Sequence, residues 1–228
     1  MLSDTDLKKL SLDLQIVSPF IEENCEGATI NLTLSSKVKK YNSKKEIILG
    51  NNITDEQYQE IDISLVDFYL QPSESVLVQS NEYFKVPTNM ASLILERYSV
   101  KLLGLIVSPA SYMNPGYEGT MSFVAINVNS VPIRLTPGIK FSQVAFFNLT
   151  SESEKPYGKQ NAKYMKTSDV SISKLHLDQE IQNFLTDRGI KNISKEAAKE
   201  LGRYLMGYIK NAARENADLL RKVNCEVK

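Results

Sequence analysis

The sequence has little that would mark a secreted, metal-binding or membrane-spanning protein. Its two cysteines, Cys25 and Cys225, stand near opposite ends of 228 residues, where they suit neither a disulfide framework nor a zinc site. It has one histidine, no tryptophan, and no apolar run of about 18 residues, the length that predicts a membrane helix. Its first ten residues are acidic and amphipathic, unlike a signal peptide. We therefore expect free thiols, no protein-bound metal, no membrane contact and a cytoplasmic location.

An excess of charge of one sign is also missing. The chain carries 27 basic and 27 acidic side chains, and its hydrophobic content of 42% is ordinary for a globular protein. The first 173 residues carry 16 basic and 19 acidic side chains, and the remainder carries 11 and 8. An asymmetry this small predicts no nucleic-acid partner.

Short apolar segments separated by Pro, Gly and Asn predict a mainly β domain, either a barrel or a jelly roll. A capping box from Ser3 to Asp6 predicts a short helix over residues 3–11. The polar runs 37–45 and 50–60 are expected to be solvated connections. The predicted strands cover residues 14–17, 28–34, 63–70, 75–79, 83–86, 91–96, 120–129, 133–135 and 141–148.

The last third of the chain changes character. Residues 151–173 are polar and are interpreted as a loop or mobile arm. A helix beginning at Ser194 is predicted from an apolar stripe at spacings of three, four and seven residues. We therefore divide the chain into a β domain, residues 1–173, and a C-terminal helical extension, residues 174–228. The stripe must pack against something, either the extension's own assembly or a protein partner.

Three motifs follow one another in the middle of the chain. A basic and hydroxyl-bearing cluster (Arg97, Ser99) comes first, then a glycine-rich hairpin (residues 114–119), then the Pro-Gly turn at 137–138. Glycine lets a hairpin backbone approach a flat ligand closely, and a guanidinium suits phosphate. Taken alone, each motif is more often an ordinary turn or a solvated surface than part of a ligand site.

In this order, the motifs resemble the trimeric dUTPase and dCTP deaminase superfamily. The similar segments are Arg97-Tyr98-Ser99, Leu103-Gly104-Leu105, the hairpin from Asn114 to Gly119, residues 127–138 and Gln143-Val144. Flanking segments are similar to the dCTP deaminase branch: residues 2–7, 27–32, Pro156-Tyr157 and Ala162-Lys163-Tyr164. The resemblance covers about residues 1–170. It implies a distorted β-barrel or jelly roll of the dUTPase type, assembled as a homotrimer.

The resemblance also implies a site for a deoxypyrimidine triphosphate. In this superfamily the pyrimidine lies in the hairpin, and the phosphates are held by the basic cluster of a neighbouring subunit, usually with Mg²⁺. Mg²⁺ is thus expected only through the nucleotide. The positions assigned to nucleotide binding are Arg97, Ser99, Lys101, Asn114, Gly116, Tyr117, Gln143, Tyr157, Lys163 and Tyr164.

Catalytic positions depart from the family pattern. Asn114 stands where dUTPases have an aspartate that activates water, and an amide cannot accept a proton as a general base. Val124 stands where dCTP deaminases have a proton-shuttling glutamate. Tyr98 replaces the middle serine of the phosphate cluster, and Leu102 a frequent second arginine. Glu118 is the only carboxylate in the hairpin and a weak candidate for a displaced base.

Three hypotheses follow. In the first, the chain binds dCTP or dUTP with altered or lost catalysis and serves as a regulator, a pseudoenzyme. In the second, it is an active dCTP deaminase or dUTP diphosphatase that uses a displaced carboxylate such as Glu118 or Glu96. In the third, a trimeric β body displays the C-terminal helices to a protein partner. His176 has no assigned role in any of them.

Overall fold

A computed structural model describes residues 1–108 and 112–189, with Arg203 and Met206 as isolated helical positions. Within these residues the predicted mainly β architecture is confirmed. The strands are β1 (Val17–Ser18), β2 (Cys25–Glu26), β3 (Thr29–Tyr41), β4 (Tyr58–Asp62), β5 (Phe68–Leu70), β6 (Ser75–Lys85), β7 (Met90–Glu96), β8 (Leu105–Val107), β9 (Tyr112–Met113), β10 (Glu118–Asn127), β11 (Ile133–Leu135) and β12 (Lys140–Asn148). The helices are α1 (Asp4–Leu14), α2 (Tyr98–Lys101) and α3 (Gln179–Asp187).

The main sheet is antiparallel, and its central path runs β8-β10-β6-β3-β12-β7-β9. β3 connects its two halves, because its first part pairs with β12 and its later part pairs with β6 and β4. β10 lies between β6 and β8, so the chain that follows the hairpin crosses one half of the sheet. β5 and β11 form a separate two-stranded sheet.

Side chains that alternate along these strands build the core. Phe84 of β6, Phe123 of β10 and Phe146 of β12 are fully buried. The rings of Phe123 and Phe141 meet edge to face, with centroids 5.4 Å apart. Aromatic pairs of this geometry add about 0.5–1.5 kcal/mol to the area they bury. The core therefore fixes β10 and β12 against each other, and β10 carries much of the candidate site.

Several predicted boundaries were wrong. Residues 37–41 were predicted to be a solvated connection but extend β3, because Val38 is buried and Lys39 pairs with Asp55 at 2.7 Å. The segments 75–79 and 83–86 form one continuous strand, β6. Of the predicted strand 63–70, only β5 is a strand, and residues 14–17 contribute only Val17 to β1.

The N-terminal helix exists, but its predicted capping box does not form. The Ser3 hydroxyl donates to the Asp6 carboxylate at 3.3 Å instead of binding a backbone N–H group. The first turn is held by main-chain bonds, including Asp4 N–H to the Gly27 carbonyl at 2.7 Å. The predicted free thiol of Cys25 is found, and it is buried. Burial raises its pKa.

The contacts divide the chain into two units. One consists of residues 1–47 and 52–177, and the other includes residues 48–51 and the described residues from Asp178 onward. The boundary predicted at residue 174 stays a prediction. In the second unit, Leu185 of α3 is buried and the Gln182 amide donates to the Gly50 carbonyl at 3.0 Å. The helix predicted to begin at Ser194 lies largely outside the described residues. Cys225 also lies outside them. Over the part of the chain that is described, no helix is both long enough and apolar enough to cross a membrane.

Candidate functional site

A cavity of about 400 Å³ opens beside the glycine-rich hairpin. Its walls come mainly from the hairpin, from β10 and from the segment that follows β12. This segment, residues 156–173, is called the arm. The described lining is mostly aromatic, aliphatic or hydroxyl-bearing: Leu77, Ser108, Tyr112, Asn114, Tyr117, Thr120, Met121, Ser122, Phe123, Val124, Tyr157, Tyr164, Thr167, Ser171, Ile172 and Ser173. Its volume is within the range of small-molecule sites, about 300–1,000 Å³.

The hairpin is fixed to the end of β6 by main-chain hydrogen bonds. Tyr117 N–H donates to the Asn114 carbonyl at 3.0 Å and closes the turn. Gly116 N–H donates to the Val86 carbonyl at 3.0 Å, and Val86 N–H donates to the Tyr117 carbonyl at 2.8 Å. Gly116 has φ +77°, a left-handed conformation that a residue without Cβ adopts readily. The turn that holds Asn114 at the cavity is therefore rigidly placed.

Tyr117 is a buried wall of the cavity. Its hydroxyl donates to the Thr120 carbonyl at 2.7 Å, and its ring lies 5.5 Å from the ring of Tyr157, centroid to centroid. Burial raises the pKa of Tyr117 to about 12, so the phenol stays protonated at neutral pH. Tyr117 thus presents an immobile, uncharged aromatic face.

The arm pairs with the free edge of β10. Thr120 N–H donates to the Thr167 carbonyl at 2.8 Å, and Lys166 N–H donates to the Glu118 carbonyl at 2.7 Å. The intervening Gly119 has φ +148°, and a Cβ there would lie 3.0 Å from the Thr167 hydroxyl. Only a glycine permits this close approach. The arm predicted as a loop is therefore an ordered, irregular segment that forms one cavity wall.

Val124 contributes an apolar surface to the cavity. Its N–H group donates to the Ser108 hydroxyl at 3.2 Å, and its carbonyl accepts from Ser108 N–H at 2.8 Å. Among the described lining residues there is no carboxylate, amine, guanidinium or imidazole group. Asn114, also on the wall, is an amide. This lining can orient a neutral ligand through hydroxyl and main-chain groups, but none of these groups is a general base near neutral pH.

Glu118 lies outside the described lining of this cavity. Its carboxylate accepts a hydrogen bond from the Tyr83 hydroxyl at 3.1 Å and lies 3.9 Å from the Lys166 ammonium. It faces a separate open groove that Lys85 also lines. The one hairpin carboxylate is therefore engaged on another face of the turn.

The predicted phosphate cluster lies on the turn after β7, away from the described lining of the cavity. The Arg97 guanidinium donates to the Lys140 carbonyl at 3.4 Å, and the Lys101 ammonium pairs with Glu96 at 3.1 Å. Ser99 is exposed on α2. Within this chain, Arg97, Ser99 and Lys101 are not part of the described cavity wall.

Of the other predicted positions, two line the cavity and two lie outside its described lining. Tyr157 and Tyr164 line the cavity, and the Tyr157 hydroxyl accepts a hydrogen bond from Tyr164 N–H at 3.2 Å. The Lys163 ammonium lies 5.9 Å from the centroid of the Tyr164 ring. Gln143 is held in the sheet, where its amide donates to the Glu96 carbonyl at 3.3 Å.

Sequence reasoning missed the hydroxyl groups of the cavity. The hydroxyl-bearing lining residues not assigned to the site were Ser108, Tyr112, Thr120, Ser122, Thr167, Ser171 and Ser173. Thr120 and Ser122 stand two residues apart on β10, a spacing that suggests one shared face, although the pairing of β10 with β6 shifts register between them. The serines of the arm carried no such signal, because their position depends on pairing with a distant strand.

Comparison with known protein families identifies the family of this chain. The family model described as dCTP deaminase-like matches residues 1–149. The chain therefore belongs to the dCTP deaminase-like family, as the motifs predicted.

Individual relatives support the assignment. The chain is 28% identical over 197 residues to a dUMP-forming dCTP deaminase of Nanoarchaeum equitans, covering 78% of this chain and 98% of the relative. It is 31% identical over 192 residues to the enzyme of the same name from Methanosphaera stadtmanae, covering 80% and 98%. The crystal structure of 2'-deoxycytidine 5'-triphosphate deaminase from Agrobacterium tumefaciens aligns with a TM-score of 0.53 and 18% identity. That alignment covers 64% of this chain and 47% of the other, and it shows a shared fold.

Proposed function

We propose that this protein binds a deoxypyrimidine triphosphate, dCTP or dUTP, without efficient turnover and acts as a nucleotide-responsive regulator. The observation that carries the proposal is the chemistry of the cavity. Its described lining offers hydroxyls, aromatic rings and an amide but no group that can accept a proton at neutral pH. A family scaffold with a cavity of this kind suits binding better than catalysis.

The base and sugar of a nucleotide match the cavity. Both are neutral, and a neutral group is moved out of water at lower cost than a charged one. Tyr117 and Tyr157 provide aromatic surface, and Asn114 provides an amide that can both donate and accept hydrogen bonds. The hairpin backbone is fixed before the ligand arrives, which lowers the entropic cost of binding.

The triphosphate requires cations that the described cavity wall lacks. Arg97, Ser99 and Lys101 are the nearest match to a phosphate cluster, and we propose that a neighbouring copy supplies them in a homotrimer. Exposed apolar side chains surround this cluster: Tyr98 is 69% exposed, Leu102 66% and Leu103 64%. Apolar groups gathered on one surface are typical of an interface. A trimer that covers them would bring the cluster of one copy to the cavity of the next.

Mg²⁺ would enter with the nucleotide rather than through the protein. Hard divalent cations prefer carboxylate oxygens, and the described lining contains none. These residues therefore do not fit a protein-held metal site. Phosphate oxygens would supply the ligands, and the chain's own part is to hold the phosphates.

A nucleotide panel tests the proposal. We expect dCTP, dUTP or both to raise the melting temperature of the full chain while deaminated product and pyrophosphate stay at background. UTP and dATP serve as controls for the sugar and the base. Rapid turnover of dCTP or dUTP, or the lack of any shift with both, would refute the proposal.

A second candidate is favoured by the near-complete coverage of relatives named dUMP-forming dCTP deaminases. In that case the protein converts dCTP by means of a displaced carboxylate, of which Glu118 is the nearest to the hairpin. Replacing Glu118 by Gln would then abolish turnover. Product formation at the wild-type rate in this variant would eliminate Glu118 as the base.

The third hypothesis, display of the C-terminal helices to a protein partner, concerns residues largely outside the described ranges. It is compatible with nucleotide binding. Loss of partner binding by a chain ending at residue 173, with the assembly of the β domain unchanged, would support it.

A further inference from the structure

The arm is held at four successive residues just before it forms the last part of the cavity wall. The Ser168 carbonyl accepts a hydrogen bond from the buried Gln79 amide at 3.4 Å. Val170 is only 2% exposed, and Ser171 N–H donates to the Ser122 hydroxyl at 2.8 Å. The fourth residue, Asp169, is the only one of the four that is held through a charge.

Asp169 pairs with Lys37, which lies far from it in the sequence. The Lys37 ammonium is 3.3 Å from one oxygen of the carboxylate and 3.2 Å from the other. The first of these oxygens also accepts Val170 N–H at 2.8 Å, which fixes the carboxylate relative to the arm backbone. Glu60 lies 4.0 Å from the same ammonium. Lys37 belongs to β3 and does not line the cavity, so the pair ties the arm to a strand outside the site.

The position of this ion pair connects it to the cavity. Thr167 and Ser171 both line the cavity, and Asp169 stands midway between them. Thr167 is also fixed by Thr120, through the main-chain bond that joins the arm to β10. Beyond Thr167, the wall is held by the four contacts at residues 168–171 and by Lys174 N–H, which donates to the Tyr164 hydroxyl at 2.8 Å. Loss of the ion pair would loosen Ser171 and its neighbours while the earlier part of the arm stays paired.

We propose that Lys37 and Asp169 are positioning residues, whose ion pair holds the arm as a closed wall of the cavity and slows the escape of the bound ligand. The effect on the ligand rests on the proposed nucleotide binding. The anchoring of the arm does not, since every contact that carries it is made within the chain.

The expected effect is modest, because both side chains are about half exposed, 45% and 48%. Exposed pairs of this kind change an equilibrium by about twofold to fivefold. Uncharged replacements of similar shape are the appropriate variants. Lys37→Met keeps the aliphatic stem, and Asp169→Asn keeps an oxygen that can accept Val170 N–H. The double variant tests whether the two act as a pair.

Lys8→Met provides a matched control. Lys8, on α1, pairs with Glu22 at 3.0 Å. Its side chain is exposed to a similar degree as that of Lys37, and it makes no described contact with the arm. Two measurements are made on the full chain. The first is the rate of trypsin cleavage after Lys174, the trypsin site that directly follows the loosened segment, located by mass spectrometry and requiring no ligand. The second is the dissociation rate of dCTP, with dUTP in parallel.

We expect Lys37→Met and Asp169→Asn each to raise cleavage after Lys174 and nucleotide dissociation about twofold to fivefold. The double variant should equal the larger single effect, and Lys8→Met should match wild type. Single variants that behave like Lys8→Met, or a double variant in which the effects multiply, would overturn the ion-pair anchor. Faster cleavage with unchanged dissociation would overturn its role in retaining the ligand. If neither nucleotide binds the wild-type chain, the proposed function and the ligand-retention role both fail, and cleavage still decides the anchor.

Discussion

The buried carboxylate of Glu82 accepts hydrogen bonds from both the backbone N–H and the side-chain hydroxyl of Thr33. Thr33 N–H lies 3.1 Å from each carboxylate oxygen, and the Thr33 hydroxyl donates to one of them at 2.7 Å. Thr33 stands where β3 leaves its pairing with β12 and begins to pair with β6. The carboxylate thus satisfies a backbone N–H group at the junction between the two halves of the main sheet.

Removal of this carboxylate should destabilise the fold. Glu82 is 3% exposed, so Glu82→Ala leaves the partly buried Thr33 N–H group without its acceptor. An unsatisfied buried donor costs about 1–3 kcal/mol, and we expect a loss of unfolding free energy of this size in urea denaturation. Thr33→Val, which removes only the hydroxyl, should cost less. An Ala variant as stable as wild type would show that the junction does not depend on the carboxylate.

The charges of β3 explain why the sequence underestimated this strand. The run from Lys37 to Tyr41 is rich in lysine and looks like a solvated loop. In the structure, Lys39 and Lys40 reach carboxylates outside the strand, Asp55 and Glu74, while Val38 turns into the core. Pairing between distant segments cannot be detected in a local pattern, so hydrophobic alternation alone ended the strand too early.

The candidate site shows the same division between local and distant information. The hairpin could be predicted because a turn of this kind is encoded in a few adjacent residues, above all Gly116 and Gly119. Tyr157 and Tyr164, which the resemblance assigned to nucleotide binding, line a cavity that local patterns could not reveal, and their binding role stays a prediction. The contribution of Ser108 depends on its pairing with Val124 across two strands, so its role appears only in three dimensions.

The pH dependence of stability should carry the signature of Glu82. Burial raises the pKa of its carboxyl above the ordinary value of 4.5, although the Thr33 hydrogen bonds act in the opposite direction. A carboxyl with a raised pKa stabilises the fold most below the unfolded value, and this contribution is lost as pH rises through the folded value. The unfolding free energy of wild type minus that of Glu82→Gln should therefore be largest near pH 4 and fall toward pH 8.

This difference isolates Glu82 from other carboxyls. Burial alone would raise the pKa of Asp169, but Val170 N–H and Lys37 outweigh it and hold the pKa below its ordinary value. Asp169 therefore loses its stabilising contribution as pH falls, the opposite direction. Asp169 is present in both wild type and Glu82→Gln, so its contribution cancels in the difference between their unfolding free energies. Urea denaturation of both proteins across this range measures the difference, and a difference that grows as pH rises would contradict the assignment to Glu82.

The close approach of the arm at Gly119 can be tested against a second glycine. Gly119→Ala places a Cβ 3.0 Å from the Thr167 hydroxyl and 3.1 Å from its backbone nitrogen. Gly138 also has a positive φ, +79°, but nothing lies within 4 Å of a Cβ there. Both Ala variants should lose about 1–3 kcal/mol through backbone strain. Only Gly119→Ala should also displace the arm and increase trypsin cleavage within residues 155–166, and equal cleavage of the two variants would argue against this contact.

Substitution of Val124 tests why the cavity should bind dCTP without deaminating it. It lines the cavity at the position where the family resemblance places a proton-shuttling glutamate. Val124→Glu would give the cavity a carboxylate, and a positioned general base contributes about 100-fold to 10,000-fold in rate. We expect this variant to deaminate dCTP at least about 100-fold faster than Val124→Gln, which has a similar shape but cannot accept the proton. Chromatography of the nucleotide products measures both rates. If both variants bind dCTP and neither forms product above the wild-type background, the missing carboxylate at residue 124 is not what separates binding from turnover.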